Sequence, residues 1–357
     1  MKHFKQNLLR SAAIGVFAGV LTLGVAGAAN AQTYEAVLVW EAGGAAAYQE
    51  PAMRAFISYV ETATDGDIVF EVNTLGALGG DDRELIDMIR LGEVHFTTYA
   101  STGGLSGVFP DVQLWNWPFM FSNRLVSWSL FQDPEYRAAV NARMEEASNG
   151  QLRWLGAAEN SIRNLYSTHG PIRTPSDMAE FGTKVRTMQV PMHQEMFMAL
   201  GAGSVVALPA AERYVAKQTG MIDATEGGLM SAWNAGLLEV SDYVTLTGHM
   251  YDFHHYVANG EWFDSLPPEY QQVIRQAAII ASRVQNVHAF ETDNEALELI
   301  REDGNFIYEP TADEVMQWRD VAEPIAAQYI AETVDADLVD LTWSKVRSIE
   351  SAFTENW

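Results

Sequence analysis

The sequence predicts an α/β protein whose two lobes close on a cleft, and three observations carry that expectation. Strand-like and amphipathic helical stretches alternate from Tyr34 to Tyr99. The same rhythm restarts near Glu159 and runs to Thr225. A helical pattern then opens at Pro267 and Pro268 and reaches Ile300, a length of roughly 50 Å that suits an element lying along two lobes rather than one. A chain of 357 residues, 48% of them hydrophobic, can bury cores of that extent.

Tyr34 to Val39 (YEAVLV) reads as a strand ending at Trp40, followed by a loop rich in Gly and Ala. Ala52 to Thr62 has apolar residues at helical spacing, and Ile68 to Val72 alternates as a strand does. Asp82 to Leu91 (DRELIDMIRL) is an amphipathic helix closed by Gly92, and VHFTTY from Val94 is the third strand. Strands linked by helices form a largely parallel sheet, with ligands at their carboxyl ends, where Trp40 and Tyr99 fall. Gln113 to Phe121 (QLWNWPFMF) is strongly apolar, and Pro118 excludes a regular helix interior. A helix over Asp133 to Glu146 and a strand over Leu152 to Ala157 complete the first unit.

The second unit has strands at Arg163 to Ser167 and Lys184 to Met188, with a Pro-containing turn between them. A helix from Met192 to Leu200 follows, then a strand at Val205 to Leu208, a helix at Ala210 to Thr219 and a strand at Met221 to Thr225. From Tyr251 the chain changes again, toward the long helix, whose buried side reads as Tyr270, Val273, Ile274, Ala277, Val284 and Val287. A short strand at Ile307 and helices from Asp313 and Thr342 end the chain. The expected organisation is a leader at 1–31, a first lobe at 32–158 to which 253–290 returns, and a second lobe at 159–252, with 291–357 packing on it and on the hinge side. Short crossings without a flexible tether imply a hinge and a cleft that captures a small molecule.

Charge and motifs narrow the function. Forty-seven Asp and Glu against 22 Lys and Arg give a net charge of -25, which repels nucleic acid and anionic membrane surfaces. Without cysteine there are no disulfides, Cys-ligated zinc, iron-sulfur clusters or thiolate nucleophile. Lys2, Lys5 and Arg10, an apolar run from Ser11 to Ala28, and Ala29-Asn30-Ala31 are the three parts of a secretory signal peptide. Cleavage before Gln32 and a periplasmic location are therefore expected, the alternative being an N-terminal anchor of about 18 apolar residues. No H-E-x-x-H, G-x-S-x-G or G-x-G-x-x-G motif marks an enzyme, and none is expected. Adjacent His254 and His255 would face opposite sides of a strand, so they make no metal pair.

The motifs in order resemble the solute-binding component of tripartite ATP-independent periplasmic (TRAP) transporters, the DctP-like family. They are the Leu78-Gly79-Gly80 turn with the helix from Arg83 to Leu91, PFMF at Pro118 to Phe121, and G-x-K-x-R at Gly182, Lys184 and Arg186. Glu212 and Tyr214, QTGMIDATE at Gln218 to Glu226, and Asn259, Trp262 and Leu266 ahead of the long helix complete the set. The resemblance covers nearly all of 34–330. It implies a two-lobed periplasmic binding protein fold with a long helix spanning both lobes, and a monomer that delivers a small carboxylate solute to small and large membrane subunits for ion-coupled uptake.

It also implies that Arg186 pairs bidentately with the solute carboxylate and that Arg163 assists. A guanidinium presents a rigid fork of donors that fits two carboxylate oxygens. The alternatives are structural pairing of Arg186 with Asp223 or Glu226, and of Arg163 with Asn160 or Glu159. Gln189 stands at a family contact position where an amide serves. Relatives often carry Asn and then Pro after the glutamate matching Glu226, whereas Gly227 and Gly228 stand here and leave room. The acidic pair Asp81 and Asp82 and a longer loop between Pro175 and Gly182 are further departures. No cofactor is expected. IDATE is closer to the branch with 2-oxo acid and lactate binders, in which the glutamate matching Glu226 helps hold a cation beside the solute, but that branch places Trp at the position of Gly227. Trp40, Tyr99, Trp117, Phe119 and Trp233 are candidates to cover apolar parts of the solute, with core packing as the blander account of each. The rival readings are a receptor for an ATP-driven importer and a partner of a periplasmic sensor.

Overall fold

The computed structural model describes residues 33–41, 49–78 and 81–355. The leader read at 1–31, most of the Gly and Ala loop after Trp40, and Gly79 and Gly80 of the turn motif lie outside these residues. Nine strands form one sheet: β1 (Tyr34–Trp40), β2 (Ile68–Thr74), β3 (Phe96–Ser101), β4 (Leu152–Ser167), β5 (Lys184–Thr187), β6 (Ser204–Ala207), β7 (Ala224–Gly227), β8 (Tyr243–Asn259) and β9 (Phe306–Tyr308). Their order is β2-β1-β3-β8-β4-β7-β5-β6, with β9 beside β8.

A long antiparallel ribbon, β4 with β8, organises everything else. The parallel triplet β2-β1-β3 joins β8 through its last third, Phe96 opposite Ala258 and Ser101 opposite His254. The parallel triplet β7-β5-β6 joins β4 through Asn164 to Ser167, at the other end of the ribbon. The sheet is thus parallel within each triplet and antiparallel through its middle, which corrects the expectation of a largely parallel sheet.

Two strands expected at Leu152 to Ala157 and Arg163 to Ser167 are one 16-residue strand. Polar Glu159, Asn160 and Ser161 look like a break, and the register does shift between Glu159 and Ser161. The chain stays extended there because a helix supplies the missing partners: Asn286 Oδ1 accepts from the Glu159 N–H at 2.8 Å, and Gln285 Nε2 donates to the Glu159 carbonyl at 3.1 Å. Likewise β8 passes through Tyr251 without interruption.

The helices of the first half are α1 (Glu50–Ala63), α2 (Leu75–Leu78), α3 (Asp82–Leu91), α4 (Thr102–Leu105), α5 (Arg124–Gln132) and α6 (Pro134–Ala147), and a 3-10 segment occupies Pro110–Asn116. Those of the second are α7 (Pro175–Glu180), α8 (Pro191–Ala199), α9 (Arg213–Gln218) and α10 (Leu229–Asn234). After β8 come α11 (Gly260–Ser265), α12 (Pro268–Asp303), α13 (Ala312–Thr333) and α14 (Ala336–Glu355). Helix α3 has the expected bounds because Asp81 and Glu84 form a capping box and Gly92 ends it in the left-handed conformation.

The 36-residue α12 buries Ile274, Ala277, Ala278 and Ala281 against Ala52, Phe56 and Val60 of α1. Farther on it buries Ala296 and Ile300 with Tyr166 and Leu229. Val287, expected on the buried side, is exposed. The buried stripe runs instead through small and polar residues, including Ser282, Gln285, Asn286 and Asp293, since this stretch covers the polar bulge of β4 rather than an apolar face. Helix α14, expected to pack on the second lobe or the hinge side, buries Leu338 and Val346 in the cluster holding Val126 and Leu130 of α5 and Tyr136 and Val140 of α6. Among the described residues no helix is long and apolar enough to cross a membrane.

Candidate functional site

The carboxyl ends of both parallel triplets converge on a cavity of 380 Å³. Glu41 follows β1, Tyr99 and Ser101 end β3, Met188 and Gln189 follow β5, and Leu208 follows β6. The middle of the ribbon supplies Asn160, Ser161 and Arg163 from β4 and Asp252 and His254 from β8.

Three buried arginines form one side. Arg186, only 3% exposed, donates from Nε to the Leu208 carbonyl at 2.8 Å and from Nη2 to the same oxygen. It has no acidic partner among the described residues. Burial, and then repulsion from Arg213, push its guanidinium down to about 9. Arg213 is also buried, donating to the Ala210 carbonyl at 3.0 Å and to Ser231 Oγ at 3.1 Å, and desolvation with the nearby Arg163 charge lowers it too. Arg163 differs, because both Glu226 oxygens accept from its Nε and Nη2, and Asp252 Oδ2 accepts from Nη1 at 2.7 Å. Charge-assisted pairs of this kind lock the side chain, so Arg163 is a fixed wall.

The opposing side is acidic. Burial raises Glu41 to about 7, with repulsion from Asp82 adding to it. Asp82 is raised chiefly by burial and accepts from Ser101 Oγ at 2.6 Å, and the Tyr99 hydroxyl bonds both carboxylates. The Tyr99 ring lies 4.7 Å from that of His254. His254 Nδ1 meets Gln49 Nε2 at 2.7 Å, and burial lowers it to about 3, so the ring is neutral.

Of the residues expected at the site, Arg186, Arg163, Gln189 and Tyr99 line the cavity. Glu226 does not. It is fully buried behind Arg163 with both oxygens taken, and His249 Nε2 is 3.8 Å away. The expected aromatic lining is also corrected. Trp40 packs on the α1 and α12 cluster, Trp117 lies edge-on to Trp343 at 5.3 Å, Phe119 packs beside Leu165 and Trp318, and Trp233 beside Tyr166 and Leu237. Each ring packs half-buried against a core cluster, and the cavity lining instead mixes polar groups with Leu75, Tyr99, Met188 and Leu208. Two of the structural partners suggested for the arginines are corrected as well: Glu159 pairs with Arg124, and Asp223 lies 3.3 Å from Lys184.

The charged lining groups that were missed are Arg213, Glu41 and Asp82, together with Arg83 and Asp252. Arg213 sits between Glu212 and Tyr214 of a quoted motif, Glu41 is one residue past Trp40, and Asp82 belongs to the acidic pair noted as a departure. The rule that strand ends face the ligand would have found Glu41. The room left by Gly227 and Gly228 is occupied: a Cβ on Gly227 would stand 3.2 Å from Arg213 Nη1, and one on Gly228 would be 2.4 Å from Ser161.

The model of the bacterial extracellular solute-binding protein family 7, DctP, matches residues 42–333. This chain belongs to that family. DctP relatives include the 2,3-diketo-L-gulonate-binding periplasmic protein YiaO of Escherichia coli (strain K12), 27% identical over 256 residues, which are 72% of this chain and 75% of the relative. Among solved structures, a TRAP periplasmic solute-binding protein from Ochrobactrum anthropi, with its C-terminus bound in its ligand pocket, is 28% identical at a TM-score of 0.81, over 91% of this chain and 98% of its own. A second, from Sulfitobacter sp. NAS-14.1 with bound β-D-galacturonate, has a TM-score of 0.76 at 24% identity, over 88% and 100% of the two chains, and shares the fold. The α/β architecture of this DctP protein is therefore that of the two-lobed periplasmic binding proteins, and proteins of this family are TRAP-type solute receptors.

Proposed function

We propose that this protein is the exported receptor of a TRAP transporter, and that it captures a small carboxylate on Arg186 and delivers it to small and large membrane subunits for ion-coupled uptake. The observation that carries the reading is a buried guanidinium lining the cavity with no carboxylate paired to it among the described residues. Burial of an uncompensated cation is costly, and a solute carboxylate removes that cost when it binds. Arg163, anchored by Glu226 and Asp252, forms the fixed floor beside it. The diketogulonate-binding relative and the galacturonate-bound neighbour, both taking organic acids, support the solute class.

In this reading the leader is removed before Gln32 and the remainder works as a periplasmic monomer. Residues 32–158 with 253–290 act as one lobe, 159–252 as the other, and the β4–β8 ribbon as the hinge. Closure around the solute selects the conformer that docks on the membrane subunits. The solute leaves unchanged, so the protein is not an enzyme, and no cation is needed at Glu226, whose charge Arg163 already balances.

A thermal-shift screen of organic acids, on protein refolded to remove carried-over solute, tests this. At least one acid should raise the melting temperature in the unmodified chain, and the corresponding neutral amide should not. An amide that stabilises as well as its acid would refute the carboxylate assignment.

A further inference from the structure

The charge pattern of the cavity says more than that a carboxylate binds. Nine charged side chains meet in and just behind it: Arg83, Arg163, Arg186 and Arg213 against Glu41, Asp81, Asp82, Asp252 and Glu226, of which Asp81, the cap of α3, and Arg83 are exposed. Glu226 and Asp252 are committed to Arg163. That leaves two buried cations, Arg186 and Arg213, which among the described residues are held by main-chain carbonyls and a serine hydroxyl. Facing them are two carboxylates, Glu41 and Asp82, which among the described residues are held by the hydroxyls of Ser101 and Tyr99. Neither pair of charges closes on the other. Among the described residues Arg186 Nη1 makes no hydrogen bond, although the residue is 3% exposed and lines the same cavity. Unjoined opposite charges on two sides of one small cavity are complementary to a ligand with an anionic and a cationic end.

We propose that the solute is a zwitterion, its carboxylate on Arg186 and Arg213 and a protonated amine between Glu41 and Asp82. This rests on the receptor reading above and narrows it. A purely anionic solute would add a further negative charge where five carboxylates already meet four guanidiniums, whereas a zwitterion adds none. Its amine would also relieve the repulsion between Glu41 and Asp82 that the Tyr99 hydroxyl now bridges. Gly227 contributes by leaving open the space in which Arg213 Nη1 stands, so that the anionic end meets two guanidiniums.

The proposal has a pH signature. Glu41 is surrounded by Asp82 of α3, Tyr99 of β3 and Arg213 of α9, while Asp81, Arg83, Asp252 and His254 are the other titratable and charged groups on that side. An amine requires Glu41 ionised, so affinity for the zwitterion should rise with pH through about 7 and then level off. An acid that offers hydroxyls instead would gain a stronger hydrogen bond from that ionisation but also meet one more like charge, so its affinity should not show the same rise.

The test is calorimetry on the refolded chain with matched probes: beta-alanine against propionate, gamma-aminobutyrate against butyrate, epsilon-aminocaproate against caproate, and glucuronate as the hydroxyl-rich acid. At least one amino acid should bind about tenfold or more tighter than its parent acid. Glu41→Gln should bring that amino acid down to the affinity of its parent and flatten the rise with pH. Parent acids or glucuronate binding as tightly as every amino acid, no amino acid binding at all, or a preference that survives in Glu41→Gln would overturn the zwitterion. Arg186→Ala distinguishes this from failure of the receptor reading, since wild-type affinity there would remove the carboxylate anchor itself.

Discussion

Replacing Glu226 by Gln separates a residue that supports the site from one that touches the solute. Glu226 is fully buried and both its oxygens accept from Arg163. Gln keeps the shape and one acceptor but turns an amide N–H₂ toward a guanidinium that can only donate. Losing one partner of a buried pair costs about 3–5 kcal/mol, and the remaining Asp252 contact, at 2.7 Å, places the expected loss at the low end, about 3 kcal/mol. At roughly 2 °C per kcal/mol for a large chain, the empty protein should melt about 6 °C lower. Burial pushes Glu226 up, but the Arg163 charge and hydrogen bonds outweigh it and hold the carboxyl well below the usual range. A depressed folded value stabilises above the unfolded carboxylate value of about 4.3 and is lost as pH falls below it. The gap between wild type and Glu226→Gln should therefore be widest near neutrality and shrink below about pH 4. Thermal melts of both proteins without ligand, from neutral pH downward, read this directly. An unchanged melting temperature with a large loss of affinity would show that Glu226 contacts the solute after all.

Both glycines should resist a side chain: Gly228→Ala, whose Cβ would meet Ser161 at 2.4 Å, should destabilise by more than about 1 kcal/mol, and Gly227→Ala, at a φ of +156°, should destabilise by about 1–3 kcal/mol and also weaken binding by displacing Arg213. Urea unfolding and calorimetry on the two variants check this. Asn286→Ala removes the acceptor of the Glu159 N–H at the β4 bulge and should cost about 1–3 kcal/mol in urea unfolding. Trp233→Phe, away from the cavity lining, should leave solute affinity within about twofold of wild type by calorimetry.

The alternation of short strands and capped helices was legible in both triplets because each buries one face at a regular period. Asp82–Leu91 shows this best, with Asp81, Glu84 and Gly92 marking its ends. The ribbon was not legible. Glu159 to Ser161 read as a break because the partners of that main chain, Gln285 and Asn286, lie more than a hundred residues away. The same long-range pairing hid the buried stripe of α12, which local hydrophobicity assigned to Val287. At the site, Arg186 and Arg163 could be named from motif and guanidinium chemistry, but their difference could not. Whether a buried arginine is paired depends on which carboxylates the fold brings beside it, and Asp252 comes from the opposite strand of the ribbon. Aromatic residues near strand ends pointed to the core for a similar reason, since nothing local says which side of a sheet has apolar neighbours.

The central claim is that Arg186 waits buried for a carboxylate, and calorimetry of Arg186→Ala with an acid found by the thermal-shift screen tests it most directly. Because Arg186 has no acidic partner among the described residues, the variant should fold with unchanged or higher stability while losing about 2–5 kcal/mol of binding, at least about a 30-fold rise in Kd. Arg186→Lys should recover little, since one ammonium cannot replace the planar fork. Near wild-type affinity in a folded Arg186→Ala protein would contradict the account.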